Sequence, residues 1–188
     1  MIVLDPDLDH DPASEGRKIS VRALARFLAR AQSALPLRGE VNVLLTTDRA
    51  IRRMNRQYRG KDRVTDVLSF PASELARSRN KNRERIAGDL AISVETARRQ
   101  AVALGHEPLC ELQILTLHGL LHLAGFDHES DEGGMARREG RLRTQFGLPH
   151  GLIERAGAAQ SARPKVRRGA PASAQGEDRR KVPARVRL

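Results

Sequence analysis

The sequence predicts an α+β domain in which a small mixed β-sheet of about four strands is packed by helices. Three observations predict it. Strand-like and helix-like stretches are mixed along the chain, with too few strands in strict alternation for a doubly wound sheet. Two candidate strands, residues 65–70 and 86–93, are separated by a linker of about a dozen residues, which suits antiparallel pairing. Residues 109–124 are apolar almost all round, as expected of a helix buried within a domain.

The elements follow in order. Residues 1–5 (MIVLD) read as a short strand and residues 6–18 as a polar loop. Ser20 is placed to cap a helix reaching about Leu35, with Leu24, Phe27, Leu28, Ala31 and Leu35 on one face and Pro36 as its stop. EVNVLLT, residues 40–46, alternates and then turns apolar, as a strand does. Asp48 is expected to cap a second helix. Its stripe is Ile51, Met54 and Tyr58, its other faces carry Arg49, Arg52, Arg53 and Arg56, and Gly60 ends it. TDVLSF forms a strand before Pro71, residues 72–85 an exposed basic loop, and IAGDLAIS a further strand. Ser93 caps a helix through Leu104 with Gly105 at its C′ position, and Pro108 opens the buried helix. Met135, Leu142 and Phe146 mark a last helix closed by Gly147.

The 188 residues suit a single domain, residues 1–150, followed by a basic tail, residues 151–188, whose composition predicts disorder from about residue 155. No run of about 18 apolar residues is present, so no membrane span is expected. The acidic N-terminus does not look like a secretory signal, and a single cysteine, Cys110, excludes an internal disulfide. Together these suggest a cytosolic protein. The formal net charge is +11, of which +7 falls in residues 151–188 and +4 in residues 1–150. Such a chain suits a polyanion, although a solubilising tail would have the same composition. Aromatic residues are only 3% of the chain, so base-stacking platforms are expected to be scarce and recognition to rest on backbone and shape, or on a protein partner.

The chemistry concentrates in HGLLHLAGFDH. His118 and His122 are four apart and share one face of the buried helix. Gly125 can break the helix and turn the chain back to offer His128. Three neutral imidazoles plus water make a tetrahedral site with an open position, which suits zinc first, with copper, iron and nickel also compatible. The competing reading is a buried polar network. Asp127 can accept a ligand histidine's N–H or cap the turn. The same H-x3-H-x5-H spacing occurs in zinc peptidases, but there a Glu follows the first His as general base; here that place is Gly119. A phosphodiester substrate fits such a site.

Three blocks carry a family resemblance. HGLLHLAGFDH, MNRQYRGKDRVTDVLSFP and GDLAISVETARRQA stand in the order and spacing of the YbeY endoribonucleases, the bacterial rRNA maturation factors, over about residues 20–147. The resemblance implies a zinc-peptidase-like architecture and one zinc ion per chain held by His118, His122 and His128. It implies that Arg59 grips a phosphate beside the metal, His118 and Arg59 being the catalytic residues. Without the resemblance, Arg59 reads as a cation at a helix C-terminus. Arg56, Lys61 and Arg63 would help bind the substrate, within a stretch (residues 49–63) that holds seven Lys/Arg and the single acid Asp62. Asp89 matches an acidic family position tied to partner contact or to the cleft.

The implied activity is metal-activated phosphodiester hydrolysis in the cytoplasm, in small-subunit rRNA 3′-end maturation and ribosome quality control. The implied partners are ribosomal RNA, the small ribosomal subunit and a ribosomal protein or assembly GTPase. Two departures stand out: Val64 where relatives carry Pro, and the Gly133–Gly134 pair, which would cost the last helix roughly 1–2 kcal/mol. Two alternatives remain. One is a ribosome-assembly binding factor with a structural zinc; the other, disfavoured by Gly119, is a zinc metalloprotease.

Overall fold

The computed structural model describes residues 1–10, 19–72, 86–127 and 132–149. His128, most of the basic loop before Ile86 and the tail 151–188 lie outside the described residues. The strands are β1 (Ile2–Leu4), β2 (Glu40–Thr46), β3 (Val67–Pro71) and β4 (Ile86–Ser93). The helices are α1 (Val21–Ser33), α2 (Asp48–Arg59), α3 (Val94–Leu104), α4 (Pro108–Leu123) and α5 (Gly134–Phe146), with a 3-10 turn at Pro6–His10 inside the stretch expected to be loop.

One mixed sheet runs in the order β1-β2-β4-β3. β1, β2 and β4 are parallel, and β3 pairs antiparallel with β4, as the short linker predicts. Alternation sorts the side chains. Val41, Val43 and Leu45 of β2 and Leu90 and Ile92 of β4 join Leu24, Phe27 and Leu28 of α1 and the many buried residues of α4 in one core. On the opposite face, Leu68 and Ala91 pack with Ile51 of α2 in a smaller cluster that Met54 and Phe70 flank. Burying α4 on nearly every side explains its sequence: Leu112, Ile114, Leu115, Leu117, Leu120 and Leu121 are all fully enclosed.

The cap of α2 differs from expectation. Thr47, not Asp48, is the N-cap, its hydroxyl accepting from the Ala50 N–H at 3.2 Å. Asp48 begins the helix and instead binds α3, accepting from Thr96 Oγ1 and Arg99 Nη2, each at 2.7 Å, and from the Ser93 hydroxyl. Burial alone would raise this carboxyl, but the Ser93, Thr96 and Arg99 bonds outweigh it and hold it below its ordinary value. Ser93 meanwhile caps α3 by accepting from Thr96 N–H at 3.2 Å. Asp48 therefore knots the starts of two helices together.

Two glycines let elements approach the β3–β4 pair. A Cβ at Gly119 would lie 2.7 Å from Leu90 Cδ2 and 3.3 Å from Ser69 Oγ, so α4 sits on the sheet at backbone distance. A Cβ at Gly88 would meet the Phe70 carbonyl at 2.6 Å and Leu123 at 2.7 Å. The Gly133–Gly134 pair has a local reason too. Gly133 is the N-cap of α5 at φ 82, a left-handed conformation that a side chain disfavours.

β3 is an edge strand. Asp66 O accepts from Ser93 N–H and Ala72 N–H reaches Ala87 O, so even-numbered residues bond to β4 and odd-numbered ones turn their backbone groups outward. Of those, the Val67 N–H is taken by the Asp66 carboxylate at 2.8 Å, and Pro71 has none to give.

Gly119→Ala is expected to gain helix propensity but to overpack against buried Leu90, for a net loss of about 1–2 kcal/mol in urea unfolding. An unchanged midpoint would show that the interface can relax. Asp48→Asn is expected to lose stability at neutral pH. Because the folded-state pKa lies below the unfolded value of 3.8, that stabilisation is present above about pH 3.8 and is lost as pH falls through the folded pKa. The gap between wild type and variant should therefore close only under acid.

Candidate metal centre

The last two turns of α4 carry His118 and His122 one turn apart. Their Nε2 atoms converge to 3.2 Å, and the rings meet edge to face with centroids 4.8 Å apart. Two nitrogens bound to one tetrahedral zinc at about 2.0–2.1 Å stand about 3.3–3.4 Å apart, so this separation is compatible with a shared ion, as it is with a direct hydrogen bond between the rings. Among the described residues no third His, Cys, Asp or Glu completes a three-ligand group, and the third expected ligand, His128, lies outside them.

The route toward His128 is nevertheless set. Gly125, at φ 89, ends the helix; its N–H reaches the His122 carbonyl at 3.0 Å and the Phe126 N–H reaches the Leu121 carbonyl at 3.0 Å. This pair of bonds is a Schellman motif, and it turns the chain directly after the second histidine. Asp127 follows and lines the same cleft.

A carboxylate that the sequence reading missed orients His118. Glu139 Oε2 accepts from His118 Nδ1 at 3.0 Å, which places the ring proton there and leaves the Nε2 lone pair toward His122. Glu139 Oε1 accepts from Arg143 Nε at 2.8 Å and from Arg143 Nη2, while Arg143 Nη1 donates to the Pro149 carbonyl at 2.8 Å. Arg143 is 1% exposed, and Glu139 is 2% exposed. Burial alone would raise the Glu139 carboxyl, but the hydrogen bond from His118 and the charge and hydrogen bonds of Arg143 prevail and hold it below its ordinary value. A signal for this pair does exist in the sequence. Glu139 and Arg143 fall at helical spacing on the same stripe as Met135 and Leu142, where an unpaired charge would not be tolerated.

The histidines form one wall of a cleft of about 750 Å³. Its floor is the β3 edge, with Ser69 Oγ donating to the Gly119 carbonyl at 3.5 Å. The opposite wall is the C-terminus of α2, where Tyr58 and Arg59 line the cleft. Gly60, at φ 67, closes that helix. Asn55, 2% exposed, holds the following turn from both ends: its carbonyl accepts from Lys61 N–H at 3.2 Å and its Nδ2 donates to the Arg63 carbonyl at 2.8 Å.

Arg59, His118, His122 and Asp127 thus share one cleft. Arg56, Lys61 and Arg63 are exposed around the same helix end without lining it. Within the basic stretch, Arg52 is neutralised by Asp62 at 2.8 Å and Arg49 by Asp7 at 2.9 Å. Arg59, Lys61 and Arg63 make no ion pair among the described residues. Asp89 accepts from Asn42 Nδ2 at 2.9 Å on the sheet face away from the histidines, and it does not line the cleft.

Residues 10–147 match the family model described as Endoribonuclease YbeY. A relative from Koribacter versatilis named Endoribonuclease YbeY is 47% identical over 137 residues, spanning 73% of this chain and 84% of that protein. One of the same name from Helicobacter pylori is 35% identical over 150 residues, spanning 80% of this chain and 97% of its own. A solution structure from Thermotoga maritima covers 89% of this chain and all of its own, with a TM-score of 0.50 and 24% identity, a likeness of fold.

Glu139→Gln leaves Arg143 buried without its counter-charge, and a loss of about 3 kcal/mol is expected in urea unfolding. Replacing both, Glu139→Gln with Arg143→Met, should recover part of that loss. If the double variant were as unstable as the two single losses added together, the pairing would carry no weight.

Proposed function

Since the chain belongs to the Endoribonuclease YbeY family, we propose that it is a metal-dependent endoribonuclease acting on single-stranded ribosomal RNA. Its task would be small-subunit rRNA 3′-end maturation and ribosome quality control in the cytoplasm, with the small subunit, a ribosomal protein or an assembly GTPase as partner. The observation that carries the metal reading is the 3.2 Å convergence of the two Nε2 atoms, with Glu139 fixing the His118 tautomer.

His118, His122 and His128 would hold zinc, with Asp127 able to orient one of them. Bound there, the ion supplies a Lewis acid for a phosphoryl oxygen and makes water acidic toward about pH 7. The protein's own groups do the rest. Arg59, across the cleft, holds the phosphate and stabilises the charge that develops on it. Asn55 keeps the turn behind Arg59 in place. Arg56, Lys61 and Arg63 draw the RNA backbone along the end of α2. Glu139, tied to Arg143, keeps a ligand lone pair facing the cleft.

The arrangement favours this reading over a structural zinc, because the histidine pair opens on a cleft also lined by Arg59, which makes no ion pair among the described residues. It gives little support to a peptidase. Position 119, where the catalytic Glu would stand, is a glycine, and a Cβ there would run into Leu90 at 2.7 Å. No helix of the described residues is long and apolar enough to cross a membrane.

Elemental analysis beside an RNA cleavage assay, with and without chelator, tests the proposal. His118→Ala is expected to lose zinc and cleavage together. Arg59→Ala should keep its zinc and lose about a hundredfold or more in turnover. Full cleavage by metal-free His118→Ala protein would refute the metal's role.

A further inference from the structure

Tyr58 is the only tyrosine of a chain with no tryptophan. It lies on the apolar stripe of α2, where Ile51 is fully buried, yet it is 61% exposed. It stands beside β3, the edge strand of the sheet. The ring is not left loose. Phe70 of β3 meets it edge to face, with centroids 5.2 Å apart and planes at 72°, and Phe70 in turn flanks the Ile51, Leu68 and Ala91 cluster. The result is a braced, solvent-facing aromatic on the cleft wall opposite the histidines, next in sequence to Arg59.

We propose that Tyr58, braced by Phe70, is a nucleobase-stacking subsite that takes one unpaired base of the RNA strand while Arg59 takes a neighbouring phosphate. The inference rests on the nuclease reading above and names what that site recognises. The chemistry around the ring selects the ligand. Arg56, Arg59, Lys61 and Arg63 cluster about the same helix end, where Asp62 is already held by Arg52; two acids, Asp66 and Asp127, line the cleft beside these four cations. A planar aromatic beside several cations suits a polymer that alternates bases with phosphates. A base can reach the ring only when it is unstacked, so the subsite selects single-stranded segments without reading their sequence. The low aromatic content of the chain is no obstacle, because a single well-placed ring is sufficient.

The presence of one tyrosine makes the test direct. Zinc-loaded full-length protein with isotope-labelled tyrosine gives one set of ring signals. A single-stranded RNA oligomer carrying phosphorothioate linkages, which slow attack at phosphorus, is titrated in with its integrity checked on gels, and binding is followed separately by anisotropy. Stacking is expected to move the tyrosine signals upfield in step with binding. Abasic positions introduced one at a time should weaken binding at one place in the oligomer. Tyr58→Ala should weaken binding about five- to a hundredfold, while Tyr58→Phe and Tyr58→Trp retain it. A merely structural ring would lower the melting temperature in Tyr58→Ala without any abasic position mattering, and that result overturns the subsite. Binding with unmoved tyrosine signals likewise overturns the subsite alone. If the wild type bound and cut no RNA at all, the nuclease reading would fall, and the subsite with it.

Discussion

Everything at the cleft depends on how closely α4 lies on the sheet. That distance is set at Gly119, where even one methyl group would run into Leu90. The close seat brings the histidine turn level with the β3 edge, so Ser69 can reach the helix backbone and both imidazoles emerge at the sheet's margin instead of its middle. A residue that in a peptidase would supply chemistry here supplies proximity. The same glycine thus explains both the absence of a carboxylate at this position and the position of the histidine pair.

The polar groups behind the site follow from that burial. An imidazole half sunk in a core needs a defined partner for its inner nitrogen, and Glu139 provides it. A carboxylate so enclosed needs a cation of its own, and Arg143 provides that. The chain of contacts fastens α5 to α4 and converts a fold-stabilising ion pair into a device for aiming a lone pair. On the opposite wall the organisation is looser. Asn55 fixes the backbone turn, while the arginine and tyrosine beside it extend into solvent.

Much of this was legible in the sequence, and the remainder was hidden for identifiable reasons. The i, i+4 histidines, the helix-ending glycine after them and the starts of α1, α3 and α4 at Ser20, Ser93 and Pro108 are local signals, and the structure has them where spacing puts them. Thr47 was passed over as a cap because Asp48, an equally good capping residue, stands next to it; only the contact with α3 separates their roles. Glu139 sits in the charge-rich run RREGRLR, which reads as a solvated face until α4 covers it. Tyr58 shares its apolar stripe with Ile51 and Met54, and no local pattern tells that its ring is exposed while Ile51 is buried. The position of His128 and the course of the tail lie outside the described residues.

The floor of the cleft has a consequence for selectivity. An open sheet edge ordinarily invites any extended polypeptide to zip on as an extra strand. This one is poorly equipped to do so. The Val67 amide is already occupied by Asp66 and Pro71 has none, which leaves Ser69 as the outward-turned residue of β3 with an amide to donate. A peptide laid along the groove would find one amide donor, although the carbonyls of Val67, Ser69 and Pro71 still face outward. Pairing by unfolded chains or neighbouring copies is thereby disfavoured, whereas a ligand held by charge has no need of those amides.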